Sequence, residues 1–135
     1  MAKIRHVAIS TEDPEQTAAW YKEVFGLEEV GRTHNGGVYL SDGDINFAVL
    51  RIPSKTEPGR IELGVSHFGF VVEDPQATFR KLEEMGAPRL PDVPIGNMYF
   101  EVKYQGPDGV TVDVSEHGWV GAKGIESVGE PIAAR

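Results

Sequence analysis

Two windows of the chain place apolar residues three or four positions apart, and this spacing predicts amphipathic helices over 14–25 and 75–85. Each window opens with a proline that follows an aspartate. Asp is a favourable N-cap, and Pro is tolerated in the first turn of a helix. Gly26 and Gly86 stand where a left-handed C-cap is needed, so the pattern predicts both ends of both helices.

Short apolar stretches bounded by turn residues predict β-strands on either side of these helices. After an opening strand in each half, the predicted strands cover 28–32, 37–41 and 45–52, then 89–93, 97–104 and 110–115. Each half is therefore predicted to contain a strand, a helix and three further strands. The polar, turn-rich segment 53–63 is predicted to connect the halves, and 118–135 is predicted to form an extended or partly mobile C-terminal arm.

The two halves also repeat in sequence. HVAISTEDPE at 6–15 and HFGFVVEDPQ at 67–76 both open with a histidine and both contain Glu-Asp-Pro before the helix. The same offset separates His6 from His67 and Pro14 from Pro75. The repeat predicts an α+β domain over 1–117, built from two βαβββ modules that form a curved mixed sheet with a cleft. The first module covers 3–52 and the second covers 64–116.

Charge and composition exclude several classes of function. The formal net charge of −8 disfavours binding to nucleic acid, whose phosphates carry the same sign. The absence of cysteine excludes disulfides, thiolate nucleophiles and cysteine-based metal sites. No apolar run has the length of a membrane span, and the chain starts without the apolar core of a signal peptide. We therefore expect a cytoplasmic protein that interacts with neither membranes nor nucleic acid.

The histidines that open the two modules are candidate metal ligands. Alternate residues of a strand share a face, so His6 lies with Ala8 and Ser10, and His67 lies with Gly69 and Val71. These largely small neighbours leave space for a ligand, whereas the bulkier residues between them are expected to pack under the helices. A histidine on a strand can also be purely structural, but equivalent positions in a repeat bring the two residues near one axis.

Asp113 is the third candidate ligand. It lies between Thr111 and Ser115 on one face of the last predicted strand, so its carboxylate is expected to face the cleft. Two imidazoles and one carboxylate suit divalent iron, manganese, zinc, nickel or cobalt, and they leave coordination positions open. A simple hydrogen bond from Asp113 to a neighbouring hydroxyl is the alternative interpretation.

Other polar and aromatic residues have weaker claims to a function. His117 is interpreted either as a proton carrier near Asp113 or as an exposed side chain, and His34 as a solvated turn residue. Glu101 is expected either in the cleft or at the surface. Trp20 and Trp119 are expected to serve in packing or at an interface.

Three sequence motifs resemble the vicinal oxygen chelate superfamily, which includes glyoxalase I, extradiol dioxygenases, methylmalonyl-CoA epimerase, and fosfomycin and bleomycin resistance proteins. HVAISTEDPEQTAAWYKEVFGLE resembles the start of the family's first module, and HFGFVVEDPQATFRKLEEMGA the start of its second. GPDGVTVDVSE is similar to the family's signature before the metal-binding acid. The resemblance covers 3–116.

The resemblance implies that His6, His67 and Asp113 bind one divalent metal ion, with Fe²⁺ favoured and Mn²⁺, Zn²⁺, Ni²⁺ or Co²⁺ as alternatives. Two departures are evident. The family usually has Glu in place of Asp113, and the fourth ligand of glyoxalase I has no acidic counterpart here, since Asn46 or Ala48 lies near that place.

The missing acid weakens the expectation of an isomerase and favours an enzyme that resembles the extradiol dioxygenases. In that interpretation Tyr104, or else Tyr99, would be the active-site tyrosine, and Tyr104, His117 and Glu101 would be the candidates for proton transfer. The alternatives are a glyoxalase-type lyase or isomerase and a non-catalytic drug-binding or resistance protein. The family also implies a small-molecule substrate and a homodimer, and the cleft could form within one chain or across two.

Overall fold

The computed structural model describes residues 2–52, 62–91 and 101–124. Its helices are α1 (Pro14–Phe25) and α2 (Pro75–Glu84), and a short 3₁₀ turn covers Pro107–Gly109. Its strands are β1 (Lys3–Thr11), β2 (Glu28–Arg32), β3 (Val38–Ser41), β4 (Asn46–Arg51), β5 (Gly64–Val71), β6 (Glu101–Gln105) and β7 (Thr111–Ser115). Within the described ranges, neither helix is long and apolar enough to cross a membrane.

Both helices begin as the sequence predicts. The Asp13 carboxylate accepts a hydrogen bond from the backbone nitrogen of Gln16 at 3.1 Å, and Asp74 accepts one from Ala77 at 3.0 Å. Each bond satisfies a backbone donor that the first helical turn leaves without a partner. Gly26 ends α1 in the left-handed conformation at φ 72°, which costs a residue without Cβ nothing.

The strands form one seven-stranded mixed sheet in the order β2-β3-β4-β1-β5-β7-β6. In the first module β1 pairs in parallel with β4, and in the second β5 pairs in parallel with β7. Antiparallel pairing of β1 with β5 joins the modules at the centre of the sheet. The predicted α+β architecture is confirmed, and both histidine-bearing strands lie side by side in one chain.

The helices cover one face of this sheet. The core beneath α1 contains Ile9, Val38, Leu40 and Val49, packed against Ala18 of the helix. Near α2, the ring of Tyr104 stacks on Phe79. Because side chains alternate along a strand, the opposite face carries the small and polar residues between these core positions. That opposite face holds the candidate site.

Two predicted segments differ from the structure. The described part of the predicted strand 89–93 makes only an isolated bridge between Arg89 and Tyr104, since Pro88 and Pro91 lack the N–H that a ladder needs. The predicted strand 97–104 is described only from Glu101 onward. The remaining parts of both strands and most of the connector 53–63 lie outside the described residues.

The described part of the predicted arm, 118–124, is not extended into solvent. The carbonyl of Val120 accepts a hydrogen bond from the Asn46 amide at 2.9 Å, and that of Gly121 accepts one from Ser41 at 2.7 Å. The backbone nitrogen of Lys123 donates to the carbonyl of Asp44 at 3.0 Å. These bonds hold the segment across the strands of the first module, so the packed body continues past the predicted boundary at residue 117.

Candidate metal centre

Three adjacent strands bring His6, His67 and Asp113 together on the face away from the helices. Across the β1–β5 pair, His6 lies opposite Gly69 and His67 lies opposite Ala8. Across the β5–β7 pair, Gly69 lies beside Asp113. Neighbouring residues of paired strands share a face, so this register points all three side chains to one place.

The ligand atoms of the three residues form a compact triangle. Nε2 of His6 lies 3.1 Å from Nε2 of His67, and these nitrogens lie 3.7 and 3.2 Å from Oδ2 of Asp113. A circle through the three atoms has a radius of about 1.9 Å, close to the 2.0–2.2 Å bonds that Zn²⁺ makes with His and carboxylate ligands. All three residues are buried, and all belong to one chain.

In both histidines, a hydrogen bond to the second ring nitrogen, Nδ1, holds the imidazole in place. Nδ1 of His6 lies 2.8 Å from Oδ1 of Asn46, and Nδ1 of His67 lies 2.8 Å from the hydroxyl of Ser66. The amide nitrogen of Asn46 donates to Val120, so its oxygen faces His6 and accepts the Nδ1 proton. Nε2 of His6 then presents a lone pair to the centre, as a metal ligand requires.

Burial and charge set the protonation of the triad. Burial lowers the pKa of His6 to about 3, and the neighbouring His67 acts in the same direction, so the ring is neutral at neutral pH. Burial alone would raise the pKa of Asp113, but the ammonium of Lys103 and the ring of His67 hold it well below its usual value. The carboxylate is therefore ionised across the physiological range.

Oδ2 of Asp113 is the atom that best tests whether the residues fit a cation. It is buried, it makes no hydrogen bond of good geometry among the described residues, and its polar neighbours are the two imidazole nitrogens. Oδ1 instead accepts a 2.6 Å hydrogen bond from Nζ of Lys103. An unpaired buried carboxylate oxygen is costly unless something positive satisfies it. Oδ2 and the lone pair of His6 converge, and a divalent cation would satisfy both. The residues fit a metal ion.

Trp119 covers one side of this triangle. Its ring stacks on His6 with centroids 4.6 Å apart and planes 7° from parallel, and its Nε1 donates to Oε2 of Glu101 at 2.7 Å. Gly69 makes room for this ring, since a Cβ there would lie 2.5 Å from Cη2 of Trp119. Burial, followed by the charge of Asp113, raises the pKa of Glu101.

A family model described as the Glyoxalase/Bleomycin resistance protein/Dioxygenase superfamily matches residues 3–114. The chain belongs to this superfamily. The match spans both modules and includes all three residues of the triad. The resemblance identified from the sequence motifs is therefore confirmed.

Solved structures of several other proteins show the same fold. A methylmalonyl-CoA epimerase in complex with methylmalonyl-CoA is 18% identical, with a TM-score of 0.68 over 97% of this chain and 99% of that one. The Mycobacterium tuberculosis methylmalonyl-CoA epimerase is 16% identical, with a TM-score of 0.64 over 83% and 85%. The 2,3-dioxygenase LapB from Pseudomonas sp. KL28 is 23% identical, with a TM-score of 0.64 over 93% of this chain but 44% of LapB. A search of curated protein sequences finds no significant match.

Two of the residues proposed for proton transfer make no hydrogen bond or ion pair with the triad among the described residues. Tyr104 pairs with Val112 and stacks on Phe79, which places it on the helix face, opposite Lys103 and Asp113. The side chain of His117 is about half exposed and lies 3.5 Å from the carboxylate of Glu116. Glu101 faces the site, as one of its two sequence interpretations predicts.

The remaining candidates lie at the margins or outside the described structure. His34 is exposed, as expected for a turn residue, and Trp20 is 55% exposed beside Tyr21 and Phe25. Asn46 contacts His6 rather than the centre of the triangle, and Ala48 offers no ligand atom. Tyr99 lies outside the described residues.

The sequence interpretation missed the role of Lys103 and the position of Trp119. Lys103 lies directly opposite Asp113 in the antiparallel β6–β7 pair, a register that the turn at 106–109 sets. The alternation of Glu101 and Lys103 along the strand was visible in the sequence, but their register against Asp113 was not. Trp119 follows the last strand, where periodicity no longer indicates direction.

Proposed function

We propose that the chain is a metal-dependent enzyme that binds a small substrate through adjacent oxygen atoms, on a divalent ion held by His6, His67 and Asp113. The convergence of Nε2 of both histidines on the unpaired Oδ2 of Asp113 carries this proposal. Two nitrogen donors and one oxygen donor suit Fe²⁺, Mn²⁺, Zn²⁺, Ni²⁺ or Co²⁺. Such an ion supplies Lewis-acid chemistry to the substrate oxygens at the coordination positions the protein leaves open.

Proton transfer of the isomerase or lyase type is the reaction class that the residues support best. Glu101 is an acidic side chain that faces the site beside the triad, and its raised pKa suits a group that takes up and returns a proton during a reaction. The indole of Trp119 fixes one oxygen of this carboxyl group. This ranking reverses the sequence expectation, which favoured a dioxygenase because the fourth-ligand acid of glyoxalase I was missing.

A ring-cleaving dioxygenase is the second candidate, and the donor set is the observation that favours it. Two histidines and one carboxylate on one face of an ion form the arrangement found in non-haem Fe(II) oxygenases. The likeness to LapB supports the shared fold only. Tyr104 stacks on Phe79 and the side chain of His117 is about half exposed beside Glu116, so neither supports the acid–base role expected from the resemblance, and this places the dioxygenase second.

Metal analysis tests the proposed centre. Protein purified without added metal, then loaded with a divalent ion and desalted, is expected to carry about one ion per chain, as a buried three-residue site predicts. His6→Ala is expected to lose most of this metal. His34→Ala is the matched control, because it removes an exposed histidine far along the chain from the triad. Equal metal content in wild type and His6→Ala would contradict the proposal.

Two activity measurements separate the reaction classes. Exchange of a substrate carbon-bound hydrogen with deuterated solvent, tested on 2-oxo and 2-hydroxy thioester and hemithioacetal compounds, reports proton transfer. Oxygen consumption with a panel of catechols reports ring cleavage. Glu101→Gln is expected to abolish hydrogen exchange while it keeps the bound metal. Inactivity of the metal-loaded protein in both measurements would favour the drug-binding or resistance alternative.

Several expectations from the sequence stay predictions. A small-molecule substrate and a homodimer are typical of the superfamily, and the cytoplasmic location expected from the sequence also stays a prediction. The triad itself is complete within one chain, so the proposed metal centre does not require a second copy. A dimer would therefore shape access to the cleft rather than supply ligands.

A further inference from the structure

Lys103 is a buried cation at the edge of the triad. Its side chain is about 6% exposed, and its Nζ donates a 2.6 Å hydrogen bond to Oδ1 of the fully buried Asp113. The two residues are direct partners across the β6–β7 pair and share the site face. A buried lysine is rare, and its ammonium group needs a compensating anion, which Asp113 provides.

Because of this hydrogen bond, the two carboxylate oxygens of Asp113 have different partners. Oδ1 is occupied by Lys103, and only Oδ2 points at the two histidines. The carboxylate can then offer one oxygen to an ion, because the second is engaged by a charge-assisted hydrogen bond. The ammonium group also draws electron density away from Oδ2 and repels an incoming cation.

We infer that Lys103 is a positioning residue that restricts Asp113 to one weakened donor oxygen and thereby biases the centre towards cations that bind through nitrogen. This inference rests on the proposed metal-dependent function. It adds a residue that selects among the ions which the triad alone would accept.

The selection follows from the donor preferences of the ions. Mn²⁺ and Mg²⁺ depend mainly on anionic oxygen, whereas Zn²⁺, Ni²⁺ and Co²⁺ bind well to imidazole. Weakening the carboxylate removes a large part of the affinity for the first group and a smaller part for the second. The two imidazoles are unaffected, because Asn46 and Ser66 hold them from the other side.

Three substitutions separate the charge of Lys103 from its hydrogen bond. Lys103→Met keeps the length of the side chain and removes both, Lys103→Gln keeps a donor without the charge, and Lys103→Arg keeps the charge. Dissociation constants for Zn²⁺ and Mn²⁺ would be measured on the full chain by competition with a chromophoric chelator. The measurements would be made at a pH near 8, which favours the ionised form of Asp113, and circular dichroism checks folding.

Lys103→Met removes a positive charge next to the ion and is expected to tighten Mn²⁺ binding by about tenfold or more and Zn²⁺ binding by less, so the preference for Zn²⁺ over Mn²⁺ falls. Lys103→Gln is expected to give an intermediate change, and Lys103→Arg to stay close to wild type. The d–d absorption of bound Co²⁺ should shift in Lys103→Met as Asp113 gains a second free oxygen. A merely structural ion pair would not alter the ratio of the two affinities.

Unchanged or weaker binding of both ions in folded Lys103→Met and Lys103→Gln would overturn the inference and leave the metal centre standing. If Lys103→Met does not fold, Lys103→Gln alone decides, because a neutral donor still satisfies Oδ1. Failure of the proposed function has a different signature: the wild-type protein then binds neither ion, or His6→Ala binds both as tightly as wild type.

Discussion

The two modules share a backbone plan but differ in the chemistry they place on it. His6 lies beside Asn46 of β4 in the same way as His67 lies beside Thr111 of β7. By the same register, Ala48 is the counterpart of Asp113. Duplication therefore explains why two histidines meet at the centre of the sheet, whereas the acid comes from the second module alone.

The residues that pair with Ala48 and with Asp113 across the antiparallel strands also differ between the two modules. Across the antiparallel pairs, Tyr39 faces Ala48 in the first module, and Lys103 faces Asp113 in the second. The first module thus has an aromatic and a methyl group where the second has a buried ion pair. A duplicated frame supplies equivalent positions, and substitution at a few of them makes one side of the site apolar and the other charged.

Placing an acid in the first module should break this asymmetry with the largest effect. Ala48 is fully buried, so Ala48→Asp would bury a carboxylate without the cation that Asp113 has, at a cost of about 3 kcal/mol in metal-free protein. Urea unfolding in the presence of a chelator measures this cost. Tyr39→Lys added to Ala48→Asp copies the second module and should recover part of it. An unaltered stability in Ala48→Asp would argue against the equivalence of the two positions.

The second largest loss of stability is expected at the position two residues after each histidine. Ala8 holds this position in the first module and Gly69 in the second, where Trp119 and Cβ of His6 leave no room for a methyl group. Gly69→Ala is expected to destabilise the protein by about 2 kcal/mol, as overpacking does. Trp119→Leu should absorb part of that cost when both changes are combined, since the contact with Cβ of His6 remains. Additive losses in thermal unfolding of the two single variants and the double variant would show that the ring does not enforce glycine.

Acid should weaken the metal-free fold through His6. Burial holds the pKa of this ring at about 3, against 6.5 as its ordinary value, so between these values the unfolded chain binds a proton that the folded chain does not. Stability therefore falls as pH drops through this window, by up to about 1.4 kcal/mol per pH unit. Urea unfolding at several pH values between 4 and 7 measures the slope. His6→Gln should flatten it, and an equally steep slope in that variant would assign the effect to other groups.

The smallest expected difference concerns the groups that hold the two rings. Asn46 bonds both to His6 and to the backbone of Val120, whereas Ser66 bonds to His67 from the preceding position of the same strand. Asn46→Ala should therefore cost about 1 kcal/mol more than Ser66→Ala, the worth of one additional hydrogen bond. Chemical unfolding of both metal-free variants measures this difference. Equal losses would mean that the bond to Val120 contributes nothing.

Much of the fold could be predicted because local rules and the repeat agree. The Asp-Pro starts of α1 and α2 and the shared face of His6 and Ala8 follow from capping and from strand alternation. The single continuous sheet could not be predicted, because the β1–β5 pairing joins segments far apart in the chain and contains register shifts near His6 and Ala8. Such bulges depend on contacts between the strands rather than on either strand alone.

The candidate site shows where pattern and resemblance disagree. Alternation along β6 places Tyr104 on the other face of the sheet from Lys103, towards the helices, and the structure agrees with this pattern. The proposed catalytic role of Tyr104 came from the resemblance to the extradiol dioxygenases, which does not determine on which face of the sheet the ring lies. The position of Trp119 could not be predicted from the sequence. The segment that follows it is held by hydrogen bonds to its backbone carbonyls, and a sequence pattern does not show such bonds.

The chain contains only two tryptophans, and their surroundings make them optically distinct. Trp20 is 55% exposed, whereas Trp119 is 3% exposed and lies flat against His6. A soluble quencher such as iodide would suppress emission from the first ring and spare the second. A paramagnetic ion bound to His6 would instead quench the emission of Trp119, which stacks on that imidazole, and spare the emission of Trp20. The protein thus carries its own fluorescence indicator of the triad, together with an internal reference.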